Sequence, residues 1–150
     1  MEITPFIRKA NYYETDQMGI IHHSNYIRWF EEARIDYMEK MGYGYEKANE
    51  AGIDFALLGL CCEYKSMVRF GDTVRIIARV IHFTPSRMTV GYRVLDEKTG
   101  ELRTTGESRH CYFDNRKRRP VSLKKALPEL YAKFDLLKIT PEEFWNGEIG

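Results

Sequence analysis

Residues 12–34, YYETDQMGIIHHSNYIRWFEEAR, set a lone carboxylate, Asp16, ahead of a glycine, Gly19, and a histidine pair, His22 and His23. A long amphipathic run follows at once. Three chemistries fit this spacing. In the first, Asp16 only shapes a turn and Gly19 supplies an awkward φ, with the histidines incidental. The second is a metal site. Adjacent histidines reach the same ion poorly, and no HExxH or CxxC pattern supports them, so no metal is expected. The third is catalysis. A helix start carries unpaired N–H groups at the positive end of its dipole, and a carbonyl oxygen set there is polarised. Losing one such donor costs about 3–4 kcal/mol of barrier in enzymes that use it. A carboxylate beside that carbonyl can attack it or activate a water. Gly19 would let the backbone pass close to the substrate.

Other chemistry is weaker in the chain. No GxGxxG, P-loop, GxSxG or zinc-ligand spacing occurs. Cys111 has no neighbour in sequence to activate it as a nucleophile. The run NRKRRP at 115–120 reads either as a solvated turn or as part of a cradle for an anion such as a phosphate. Arg87, in TPSRMT, has the same two readings.

These residues must be positioned by a chain of 150 residues, which is expected to form one domain over 1–150. A chain this size buries roughly 70% of its unfolded surface and needs no covalent staples. The 23 basic and 22 acidic residues nearly balance, which argues against nucleic-acid binding by bulk charge. Cys61, Cys62 and Cys111 are odd in number with two adjacent, a poor disulfide framework. They read as small apolar residues in a reducing compartment. MEITPFIRKA lacks a basic stretch followed by an apolar one, so no signal peptide is expected. No apolar run approaches the roughly 20 residues that span a bilayer. The expectation is a soluble, cytoplasmic protein.

Periodicity predicts the elements. PFIRKANYY alternates as a first strand, and 14–19 is a loop. Ser24 and Asn25 can cap a helix. From Tyr26 the apolar residues Tyr26, Phe30, Ala33, Tyr37 and Met41 step by three and four, with Ile27, Trp29 and Met38 widening the stripe. Glu31 and Arg34 are close enough on this helix to pair. Gly42 is a stop. Residues 43–52 form a polar loop or a short helix. Residues 54–70 form one long strand or a bent pair, and strands follow at 73–83, 87–96 and 101–114. The DEKTGE turn uses Gly100 for a positive φ. A short helix near 123–134 and an irregular tail close the chain. One long apolar helix with one antiparallel sheet is α+β. A twisted sheet of about five strands wrapped round such a helix is the hotdog fold.

Tyr12, Asp16, Gly19, Ile20, Ile21, His23, Tyr26, Glu31 and Arg34 together resemble the signature of the 4-hydroxybenzoyl-CoA thioesterase family, in its YbgC-like acyl-CoA thioesterase branch. EYKSMVRFGD resembles that family's second landmark, a strand ending at Gly-Asp. The likeness runs over about residues 3–130.

The resemblance implies a hotdog fold, a homodimer or homotetramer, and hydrolysis of an acyl-CoA thioester to a carboxylic acid and free coenzyme A. It implies Asp16 as nucleophile or general base and the His23 backbone N–H as the group polarising the carbonyl. The His23 side chain and Tyr12 would line the site, with Gly19 and Ser24 adjoining the substrate. No metal or bound cofactor is implied beyond coenzyme A itself as part of the substrate. Lys65, Ser86, Arg87 and Arg119 are candidates for the phosphates, chosen by position and charge rather than by motif. Two rivals stay open: a thioesterase acting on acyl carrier protein, met through the RKRR run, and a non-catalytic acyl-CoA-binding module.

Overall fold

Alternation of apolar and polar residues sorts the long strands into one antiparallel sheet. The structure, a computed structural model, describes residues 2–147. In chain order the elements are β1 (Phe6–Lys9), α1 (His23–Lys40), α2 (Tyr45–Glu50), β2 (Ile53–Tyr64), β3 (Thr73–Phe83), β4 (Arg87–Asp96), β5 (Leu102–Asp114), β6 (Arg119–Pro120), α3 (Leu123–Ala126), α4 (Pro128–Leu137) and α5 (Pro141–Asn146). The strand order is β1-β3-β4-β5-β2, with the short β6 pairing on β5. This is the hotdog arrangement. The wide stripe of α1 explains it, because Tyr26, Trp29, Phe30, Ala33, Tyr37 and Met38 are all buried. Phe30 stacks on Tyr92 of β4 with ring centroids 4.4 Å apart.

The sheet has two ends that matter for function. At one end lie Lys9, Thr73, Asp96, Leu102 and Tyr64; at the other lie Phe83, Arg87, Cys111 and Ile53. α1 runs from the first end toward the second, where Tyr37 stacks on Phe134 and Phe134 meets Phe83, while Lys40 bonds the Thr4 and Pro5 carbonyls ahead of β1. β2 is an edge strand, and its exposed residues include Leu57, Leu58 and Tyr64.

Several expected boundaries are corrected. The first strand stops at Lys9, and a 3-10 turn occupies Tyr12–Glu14, because buried Glu14 must reach back to Arg8 and Asn11. α1 begins at His23, capped by His22 and not by Ser24 or Asn25. Residues 54–70 do not form one strand. β2 ends at Tyr64, where the Lys65 and Ser66 N–H groups both turn to the Arg103 carbonyl. The helix near 123–134 is two, broken at Leu127 because Pro128 restricts the residue before it. The tail is not irregular. Thr140 caps α5, whose Phe144 is fully buried with Ile77 and Ile81 on the outer face of the sheet. Gly91 makes room for that ring: a Cβ there would lie 2.8 Å from Phe144. Arg34 does not pair with Glu31. It turns inward and donates to the Tyr92 hydroxyl at 2.9 Å.

Candidate active site

Glu14 holds the loop between β1 and α1 from the inside. It is 2% exposed, and its carboxylate accepts from Arg8 at 3.0 and 2.9 Å, from the Asn11 N–H at 2.9 Å and from the Trp29 indole at 2.8 Å. Its backbone carbonyl accepts from the His22 N–H and the Asn25 amide, both at 2.9 Å. Bonds to a charged group are each worth about 1.5–3 kcal/mol net. Glu14 thereby joins β1, the loop and α1 into one frame.

Asp16 lies two residues on. Its N–H donates to the Ile20 carbonyl at 2.9 Å, and the Gly19 N–H closes the turn onto the Asp16 carbonyl at 3.0 Å. Gly19 has φ +76°, and a Cβ there would meet nothing within 4 Å, so it is the turn's backbone that calls for glycine. Asp16 Oδ1 accepts the Met18 N–H at 2.8 Å. Oδ2 accepts no hydrogen bond from the described residues.

The start of α1 faces the same space. The Ser24 N–H donates to His22 Nδ1 at 3.2 Å, and the Asn25 N–H donates to the His22 carbonyl at 3.0 Å. Among the described residues the His23 N–H has no acceptor. The site therefore pairs an open N–H at the positive end of an 18-residue helix with an open carboxylate oxygen.

Asp16 and His23 both line a pocket of about 320 Å³. Asp16, Ile20 and Ile21 form its loop side, His23 and Tyr26 its helix side, and residues 64–67 the remaining wall. The Tyr64 hydroxyl donates to the His23 carbonyl at 3.2 Å. Burial, helped by Cys62, pushes the Tyr64 phenol up to about 12, so it stays a neutral donor. A hollow of about 390 Å³ on the outer face of the sheet, beside Trp145 and Glu107, is larger but contains no helix start and no part of the Asp16 loop. Among the described residues no cluster of three or more His, Cys, Asp or Glu could hold a metal ion.

Of the residues singled out in the sequence, the pocket brings together Asp16, His23 and Lys65. Lys65 is paired with Glu63 at 3.0 Å. Gly19 sits at the exposed tip of the turn. The Ser24 hydroxyl lies 2.8 Å from His22 Nδ1 and is not in the lining. Tyr12 is 75% exposed and packs edge-on against Phe70, outside the lining. Ser86, Arg87 and Arg119 stand at the other end of the sheet, because Arg87 pairs with Cys111 and Ile53 with Asp114. The 12 residues of β2 separate them from Tyr64 by roughly 35–40 Å. Glu14 and Tyr64 escaped the sequence reading. The Asn11-x-x-Glu14 capping pattern was a signal for the first; nothing local marks the second.

A model of the thioesterase-like superfamily matches residues 11–134. The chain belongs to that superfamily. A protein of Aquifex aeolicus (strain VF5), provisionally named an esterase, is 34% identical over 128 residues, 84% of this chain and 97% of its own length. A Bacillus subtilis (strain 168) protein provisionally named acyl-CoA thioesterase YneP is 26% identical over 130 residues, 87% of this chain and 94% of its own. Among solved structures, a DHNA-CoA thioesterase from Staphylococcus aureus superposes with a TM-score of 0.86 at 29% identity, covering 100% of this chain and 98% of that one. Thioesterase-like superfamily membership makes this chain a thioester hydrolase. The superfamily match takes in the Asp16 loop, α1 and the sheet from β2 to β6, and leaves β1 and α5 outside it.

Proposed function

We propose that this hydrolase cleaves acyl-CoA, in the manner of the YbgC-like branch of the 4-hydroxybenzoyl-CoA thioesterases. The observation that carries the reading is the pocket shared by Asp16 and His23: among the described residues Asp16 Oδ2 and the His23 N–H at the helix start make no hydrogen bond. The thioester carbonyl oxygen accepts from the His23 N–H. As oxyanion character grows there, the helix dipole stabilises it. Asp16 then acts in one of two ways. As a base it takes a proton from water, and the hydroxide adds to the carbonyl carbon. As a nucleophile it adds directly, and water later cleaves the resulting anhydride. In both, the C–S bond breaks, thiolate leaves and is protonated, and the acid is released. Thiolate is a good leaving group, so the reading calls for no metal and no redox cofactor.

A homodimer fits this reading. The free edge of β2 carries unpaired backbone groups along 12 residues beside exposed Leu57 and Leu58, a template for a second strand. Pairing of two β2 strands would cover it, and a further pairing of dimers would give a tetramer. Cys61, Cys62 and Cys111 are free thiols, in keeping with a reducing cytoplasm. No helix among the described residues is long and apolar enough to cross a membrane. Release of coenzyme A from a panel of short, long and aromatic acyl-CoAs, read with a thiol reagent, tests the activity. Asp16→Asn should cut kcat by at least roughly 100-fold. Its stability should hold, because asparagine still accepts the Met18 N–H. Near-wild-type turnover in that variant would remove Asp16 from the mechanism. Faster turnover of acyl carrier protein thioesters would move the substrate to the protein-borne form.

A further inference from the structure

We propose that Arg103 is a positioning residue of the active site. Its backbone carbonyl and its guanidinium together fix residues 65–67, the wall that closes the pocket opposite the Asp16 loop. The inference rests on the reading of the Asp16–His23 pocket as the site of thioester cleavage.

Val94 pairs with Thr104 and Leu95 with Leu102, so Arg103 is the extra residue of a β-bulge on β5. A bulge bends its strand and re-aims a side chain, and bulges are frequent beside active sites. Here both the backbone and the side chain of the bulged residue reach the segment that leaves β2. The Arg103 carbonyl accepts the Lys65 and Ser66 N–H groups at 2.8 and 3.0 Å. Arg103 Nη1 donates to the Ser66 hydroxyl at 3.1 Å and to the Met67 carbonyl at 3.2 Å. Lys65, Ser66 and Met67 all line the pocket, whereas Arg103 does not and acts through them.

The guanidinium is itself anchored. Arg103 Nη2 donates to Asp96 Oδ1 at 3.3 Å, and Nη1 lies 3.2 Å from Glu101 Oε2. Asp96 is buried, and its Oδ2 accepts the Lys98 and Thr99 N–H groups at 3.1 and 2.8 Å. The Thr99 N–H, with Arg103 adding to it, holds the Asp96 carboxyl below the usual carboxylate range, so the anchor is charged at neutral pH. One side chain thus wires the β4–β5 turn to the pocket. A planar fork of several donors can reach Asp96, Ser66 and Met67 together, which a single ammonium cannot.

The same segment is tied on its other side to the catalytic loop. The Val68 carbonyl accepts the Ile21 N–H at 2.8 Å, and Ile20 forms a bridge with Arg69. Residues 65–69 therefore hang between two supports, Arg103 and the loop. Glu14 fixes Asp16 and the start of α1 without help from Arg103. Loss of Arg103 then leaves the reacting groups in place and frees the wall. The defect falls on how tightly the acyl group is held, and not on bond making.

Kinetics and hydrogen exchange test this together. Arg103→Ala should raise KM for the acyl-CoA that the wild type cleaves best about tenfold, with kcat changed by no more than about twofold. Amide exchange, read by mass spectrometry, should quicken over residues 64–69 and hold in the paired centre of β3 and β4. A wild-type KM in this variant would overturn the inference, as would a fall in kcat at constant KM or unchanged exchange over 64–69. Asp96→Asn gives a second route that leaves Arg103 in the chain. Asparagine can still accept the turn N–H groups but gives up the charge that orients the guanidinium. It should raise KM about threefold by itself and add nothing in the Arg103→Ala background. Additive rises would show two separate effects and overturn the inference. The outcomes also separate this inference from the reading beneath it. Wild-type turnover in Asp16→Asn sinks the pocket as the site of cleavage, whereas a wild-type KM in Arg103→Ala with an inactive Asp16→Asn sinks the role of Arg103 alone. If the wild type cleaves no acyl-CoA, the activity reading fails, and the exchange over 64–69 still decides whether Arg103 holds the wall.

Discussion

The Glu14 carboxylate accepts the Trp29 indole N–H at 2.8 Å, which ties the loop bearing Asp16 to α1 from inside the core. The chain thus divides two tasks between two acids. Glu14 is fully bonded and holds the frame. Asp16 makes one side-chain bond and keeps an oxygen open. Glu14→Gln retains the shape but removes the charge that Arg8 meets. Breaking a buried ion pair from one side is costly, so a loss of about 2–4 kcal/mol is expected in urea unfolding. kcat should fall with it. An unaltered midpoint would show that the frame does not depend on the carboxylate.

Tyr64 tests whether the far wall of the pocket takes part. Tyr64→Phe removes the hydrogen bond to the His23 carbonyl and should cost about 0.5–1.5 kcal/mol of stability. Substrate positioning should suffer as well, with kcat/KM down by a factor of about 3–10. Unchanged kinetics would exclude Tyr64 from the site.

Acid should weaken the protein through His110. This side chain is fully buried on β5, with Nε2 2.7 Å from the Ser108 hydroxyl, which in turn meets Tyr92 at 2.6 Å. Burial, with the positive charge of Arg34 adding to it, lowers its pKa from 6.5 to about 4. The unfolded chain therefore binds the proton more readily than the folded one. Stability falls as pH drops from about 6.5 through about 4, by on the order of 3 kcal/mol. Urea midpoints measured across this range for wild type and His110→Gln should diverge in slope. Parallel curves would assign the acid sensitivity to other groups.

Gly91→Ala should loosen α5. The added methyl would meet the Phe144 ring at 2.8 Å and Ile81 at 3.2 Å. Overpacking of this kind costs about 1–3 kcal/mol. Limited proteolysis should then cut ahead of α5 sooner than in the wild type, while KM and kcat stay in place. Equal cleavage rates would show that the ring shifts without cost.

The parts of the fold legible in the sequence were those with strong local periodicity. Tyr26, Phe30, Ala33, Tyr37 and Met41 are buried as the stripe requires, with Trp29 and Met38 beside them, whereas Ile27, read as widening the stripe, is 40% exposed; Gly100 does take a positive φ, +75°, between β4 and β5. Boundaries set by distant partners were not legible. Tyr64 ends β2 because the backbone beyond it bonds Arg103, and no local pattern announces that contact. α5 was readable and was missed: Thr140, Pro141 and Glu143 form a cap, a helix-starting proline and an acidic first turn. In the site, Asp16 and His23 are near in sequence and near in space. Lys65 joins them through the sheet. Arg87 and Arg119 have suitable charge but wrong placement within one chain, since a residue's type does not say at which end of a strand it emerges.

The uncovered edge of β2 also bears on how the protein is made. That edge exposes Leu57 and Leu58 along an open ladder, the kind of surface that recruits unfinished chains as readily as the second copy proposed to pair there. If two copies pair edge to edge as proposed, the interval between folding and pairing is the hazardous one. Slow synthesis at low temperature would leave few unpaired edges in solution at once, whereas rapid overexpression would crowd them together and favour inclusion bodies over soluble enzyme.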